Sequence, residues 1–96
     1  MRKIKTFWFI EPLSAETNQS IAAELAKTAD VCEAIDLPVG DGSEHHAFQL
    51  PSYHLVSMIY AAKDKFGLKF RVYRRQGKYG KIEEWHFGAK KKKVKI

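Results

Sequence analysis

The segment 4–10, Ile-Lys-Thr-Phe-Trp-Phe-Ile, puts apolar side chains on both faces of any strand it forms. A strand of that kind cannot leave one face in water along its length. It needs neighbours on either side, and cover above and below, so it predicts a central strand of a sheet. Pro12 closes it.

The rest of the chain supplies material for such a sheet and for helices to cover it. Ser14 has the chemistry of a helix N-cap, and Glu16 falls in the first turn, where the helix dipole favours an acid. Ile21, Ala22, Leu25 and Ala29 follow at helical spacing. From Val31 to Leu37 the residues alternate, with Val31, Ile35 and Leu37 against Cys32, Ala34 and Asp36. That suits a half-buried strand in which Glu33 is the exception. Gly40-Asp41-Gly42-Ser43 predicts a turn, and Glu44–Leu50 the returning arm of a hairpin. Pro51-Ser52 opens a second helix with Ser52 as N-cap, and its buried stripe is Leu55, Val56, Ile59, Ala62 and Phe66. Gly67 suits the left-handed position that ends a helix. Leu68–Arg75 alternates cleanly, and after a turn at Gln76–Gly80 the run Lys81–Phe87 returns as a last antiparallel strand.

This order of elements predicts an α+β fold, a ferredoxin-like βαββαβ sandwich with an extra C-terminal strand. Two helices would cover one face of an antiparallel sheet, leaving the other at least partly open. A single domain over residues 1–89 and a disordered basic tail over 90–96 complete the expected organisation. Cys32 is the one cysteine, which excludes an intramolecular disulfide and any multi-Cys zinc motif and agrees with a cytoplasmic setting.

Charge narrows the partners. Residues 68–96 hold eleven Lys and Arg residues against two acids, a balance of +9, whereas residues 14–67 hold three against eight, a balance of −5. A chain so divided predicts a polyanionic partner, nucleic acid before an anionic membrane surface. Lys90, Lys91, Lys92 and Lys93 would add phosphate binding with little sequence preference and a strong salt dependence.

The alternation in Leu68–Arg75 selects the outward side chains. With Leu68, Phe70 and Val72 against the helices, Lys69, Arg71, Tyr73 and Arg75 line the open face. The same logic places Lys5, Phe7 and Phe9 outward on the first strand. If Ile82 points inward, Lys81, Glu83, Trp85 and Phe87 point outward on the last. Aromatic rings interleaved with cations on a solvent-facing sheet suit single-stranded nucleic acid, the rings stacking on bases and the cations meeting phosphates.

Trp8-Phe9-Ile10-Glu11-Pro12-Leu13 resembles the first-strand motif of RNA recognition motif domains, with Pro12 where Asn is usual. About 36 residues later, Glu44-His45-His46-Ala47-Phe48-Gln49 partly resembles the third-strand motif of that family. Glu44 and His45 replace its basic residue and Gly, and Gln49 replaces an apolar residue. The resemblance covers about residues 4–75 and implies base stacking by Phe9, His46 and Phe48.

Two other readings stand beside a nucleic-acid-binding domain. The aromatics would also be hidden if the face formed a homodimer or bound a protein partner. A small metal-independent ribonuclease could use His46, His54 or His86 as general base beside Arg71. No cofactor-binding or metal-ligand motif occurs. His45 and His46 are adjacent in a strand and so point to opposite faces.

Overall fold

The computed structural model of the 96-residue chain describes residues 5–28, 32–40 and 42–86. The expectations for Ile4, Ala29, Val31, Asp41, Phe87 and Lys90–Lys95 lie outside the described residues. The elements are β1 (Thr6–Pro12), α1 (Ala15–Ala26), β2 (Glu33–Pro38), β3 (Glu44–Leu50), α2 (Tyr53–Phe66), β4 (Phe70–Gln76) and β5 (Glu83–Trp85). All strand pairings are antiparallel, in the order β2-β3-β1-β4-β5. β1 takes the central place that its two apolar faces demand. Trp8, Phe9 and Ile10 are all buried, with Trp8 and Ile10 on one side of the sheet and Phe9 on the other.

Both helices lie on the Trp8–Ile10 side. Ile21 and Leu25 of α1 and Leu55, Val56 and Ile59 of α2 close over Trp8, Ile10, Leu50 and Val72. The start of α1 is capped as expected, Ser14 Oγ accepting from Thr17 N at 3.1 Å. Thr17, which carries no apolar signal, is nevertheless buried. Its hydroxyl accepts from Lys69 N at 3.0 Å and ties the helix to the approach of β4. Ser52 has N-cap backbone geometry, but its side chain makes no capping bond. Gly67 ends α2 at φ 63°, a conformation a side chain would strain. Phe66, expected in the buried stripe, is 48% exposed at the last position of α2.

The opposite side of the sheet is not bare. Phe9, Leu37, Ala47 and Tyr73 form a second cluster, with Phe7, Ile35, Val39 and Ile82 packed around it. The apolar alternation of β2 therefore serves this second cluster, Ile35 and Leu37 pointing away from the helices, while Cys32 packs toward the main core. The turn from β4 into β5 brings Gly80 so close to the Gln76 carbonyl that a Cβ there would collide with it.

Two registers differ from expectation. In β3 the helix side is taken by Phe48 and Leu50, and the other side by His45, Ala47 and Gln49, so His46 and Phe48 face the helices. In β5, Trp85 pairs with Val72 and joins the helix side, while Ile82 joins the second cluster. The physical reason is the same in both strands. Leu50 lies directly before α2 and must enter the main core, which carries Phe48 with it at a spacing of two. Trp85 fills the space beside Trp8, Tyr53 and Tyr60, a gap that the smaller Ile82 would leave open.

Candidate nucleic-acid interface

The strand face opposite the helices is the surface that gathers most of the candidate residues within the described part of the chain. β1 contributes Lys5, Phe7, Phe9 and Glu11, and β4 contributes Arg71, Tyr73 and Arg75. The register pairs Phe7 with Arg75, Phe9 with Tyr73 and Glu11 with Arg71. Phe7 and Glu11 are four residues apart on an extended strand, so the two ends of the face lie about 13 Å apart.

At one end, the Arg75 guanidinium stands 4.6 Å from the Phe7 ring centroid and 5.8 Å from that of Phe9. Arg75 Nε donates to the Gly77 carbonyl at 3.2 Å, and Gly77 N donates to the Lys5 carbonyl at 2.8 Å. This pins the guanidinium over the ring. Lys5 Nζ lies 5.3 Å from the same ring. Cations over aromatic faces gain about 0.5–1 kcal/mol each at exposed sites. Phe7 is half-buried and Lys5 exposed.

At the other end, a half-buried acid organises three side chains. Glu11 Oε1 accepts from the Tyr73 hydroxyl at 3.0 Å, and Glu11 Oε2 lies 3.0 Å from His45 Nδ1. A carboxylate only accepts, so His45 carries its proton on Nδ1. In the neutral ring Nε2 is then the acceptor, and it takes the Ser43 hydroxyl at 2.8 Å. Burial pushes the Tyr73 phenol above its usual range, the Glu11 carboxylate adds to the shift, and Arg71 opposes it. Tyr73 is thus held neutral as a donor. The cluster ties the β2–β3 hairpin to β1 and β4, and Arg71 beside it is exposed.

The structure distributes the sequence candidates unevenly. Lys5, Phe7, Phe9, Arg71, Tyr73 and Arg75 share the face. Phe9 at 1% and Tyr73 at 4% exposure support that face from below and do not offer free rings. Lys69 is exposed at the Arg71 end, where its carbonyl accepts from Leu13 N. His46, Phe48 and Trp85 were expected outward and are corrected to the helix side. His46 Nε2 donates to Asn18 Oδ1 of α1 at 3.2 Å, and Phe48 packs against the main core. Trp85 stacks edge-on to Trp8 with centroids 5.3 Å apart. Lys90, Lys91, Lys92 and Lys93 lie outside the described residues. Of the histidines considered as general bases, His46 faces α1, His54 lies on α2, and His86 follows β5, 3.8 Å from Glu84.

Sequence reasoning missed Glu11 and His45 as a unit. The signal for Glu11 was present, since it continues the alternation of Phe7 and Phe9. The signal for His45 required the register of β3. Among the described residues no group of three His, Cys, Asp or Glu side chains is placed to hold a metal ion, and no helix is long and apolar enough to cross a membrane. Comparison of the chain with protein-family models, curated proteins and solved structures returned no match.

Proposed function

We propose that this domain binds single-stranded nucleic acid, RNA or DNA, through the strand face opposite its helices. The observation that carries the reading is the Phe7 ring, half-buried and flanked by Arg75 and Lys5, with Arg71 exposed farther along the same face. The Arg75 guanidinium laid over the ring extends its plane for stacking by a base, and with Lys5 it offers ion pairing to the adjoining phosphate. Phe9 and Tyr73 act as the floor under that contact. The run Lys90–Lys93 adds sequence-independent attraction to phosphates. His46, Phe48 and Trp85 have no part in this interface.

The arrangement also supports a ferredoxin-like reading of the fold. β3 lies between β1 and β2, β4 lies on the other side of β1, and β5 extends that edge. Nucleic-acid binding by the uncovered face of such a sheet is what the resemblance of Trp8–Leu13 to RNA recognition motif domains would imply.

The test is a salt series with fluorescent single-stranded RNA, single-stranded DNA and duplex DNA. It uses the full chain and a variant with Lys90, Lys91, Lys92 and Lys93 replaced by Ser. Single-strand preference retained by the variant supports the sheet face. Binding that disappears with the four lysines, or that ignores strand form, overturns it.

A further inference from the structure

We propose that the cleft at the Lys5 end of this face seats a single guanine base. The inference rests on the reading of the face as a nucleic-acid interface and names what that interface selects. The cleft has a volume of about 220 Å³ and is lined by Lys5, Phe7, Glu33, Gln49, Leu50 and Pro51. That is below the range of pockets for drug-sized ligands, roughly 300–1,000 Å³, and on the scale of one planar heterocycle.

Its polar groups are arranged across strands. Gln49 of β3 is in register with Glu33 of β2 on one side and with Phe9 of β1 on the other. Directly opposed residues on one sheet face have Cβ atoms about 4.5–5.5 Å apart, so Glu33 and Gln49 rise side by side and both line the cleft. Glu33 is exposed, and no cation among the described residues forms an ion pair with it. An unpaired carboxylate here repels a phosphate. An occupant of the cleft is therefore favoured when it presents hydrogen-bond donors in place of the water around Glu33.

Among the bases, guanine meets that requirement best. Its N1–H and N2–H donors lie side by side on the Watson–Crick edge and match the two oxygens of a carboxylate. The Gln49 amide can then donate to a guanine acceptor, O6 or N7. Phe7 supplies an aromatic surface and Lys5 a cation for the phosphate of the same nucleotide. Bases in single strands are read in this manner, by stacking together with hydrogen bonds to their edges.

The experiment uses the full chain and short fluorescent oligouridylates carrying one central guanosine, inosine, adenosine, cytidine or uridine. The guanosine oligonucleotide should bind about tenfold tighter than those with adenosine, cytidine or uridine. Inosine, which lacks the N2 amino group, should fall between. Glu33→Gln should abolish the preference and leave affinity for the uridine oligonucleotide no weaker than in the parent. Glu33 is exposed on the edge strand, and circular dichroism checks that the variant keeps its fold. Equal affinity for all five central bases overturns the guanine site while leaving the interface standing. So does a guanosine preference that survives both Glu33→Gln and Gln49→Ala. Absence of binding to every oligonucleotide overturns the interface itself and the guanine site with it.

Discussion

Tyr73 donates its hydroxyl to Glu11 across the β1–β4 pairing, at 3.0 Å, and the second oxygen of the same carboxylate engages His45. One half-buried acid is thereby shared between a neighbouring strand and a hairpin two strands away from β4. Tyr73→Phe would leave Glu11 Oε1 without its donor, at a cost of about 1–2 kcal/mol. Urea denaturation at neutral pH measures it, with the slope unchanged and the midpoint lowered.

Burial of the Tyr73 phenol, with that bond added, sets a response to alkali. The folded-state pKa of Tyr73 is raised above its usual 10.0, so the folded protein keeps the phenolic proton after the unfolded chain has lost it. The contribution of Tyr73 is therefore fully present below pH 10 and declines as pH rises from there through the folded value. Stability measured at successive pH values should fall less steeply in this window for Tyr73→Phe than for the parent. Parallel curves would remove Tyr73 as a source of the decline.

Phe9 is fully enclosed between Leu37, Ala47 and Tyr73 on the face without helices. Phe9→Ala should cost about 3–5 kcal/mol, as large-to-small changes at packed sites do. Chemical denaturation checks this, and a loss below about 1 kcal/mol would mean that the second cluster is not packed as described.

Arg71 and Arg75 mark the two ends of the proposed interface. Each change to Ala should weaken single-strand binding and reduce the slope of log affinity against log salt by about 0.7. The fold should survive, since both side chains lie outside the two packed clusters. A variant with undiminished affinity and an unchanged slope would exclude that arginine from the contact.

Trp85→Ala and Phe48→Ala test the corrected registers. Both should destabilise the protein, by about 2–4 kcal/mol, because their rings fill the helix side. The folded fraction should bind single strands with parental affinity. Weakened binding at full folding would return these rings to the interface.

Much of this could be read from the residues alone, and the failures have one cause. The alternation running into β4 identified Arg71 and Tyr73, because the six residues from Leu68 to Tyr73 obey a period of two, and Arg75 follows by extension past Arg74, the one charged residue on the inward side. Ser14 and Gly67 marked helix ends through their own backbone chemistry. β3 was harder. His45, His46, Ala47 and Phe48 carry no polar–apolar alternation, and a slip of one residue exchanges His45 for His46 and Ala47 for Phe48. The pair Phe48 and Leu50, two apart and leading into α2, held the information that decides the register. In β5 only three residues pair, and the choice between Ile82 and Trp85 depends on a gap beside Trp8 that no local pattern reports. Glu11 joined its partners only through contacts 34 and 62 residues distant in the chain.

β1 precedes both of its neighbours in the chain. Its two neighbours are residues 44–50 and 70–76, so a chain still growing through α2 has paired only one side of Thr6–Pro12. Until Gln76 has emerged from the ribosome, the backbone donors and acceptors along the other side stay open, next to a Trp8, Phe9 and Ile10 that are not yet enclosed. Such an edge is what chaperones and aggregating chains both recognise. The interval between synthesis of α2 and release of β4 therefore governs how long this strand remains vulnerable.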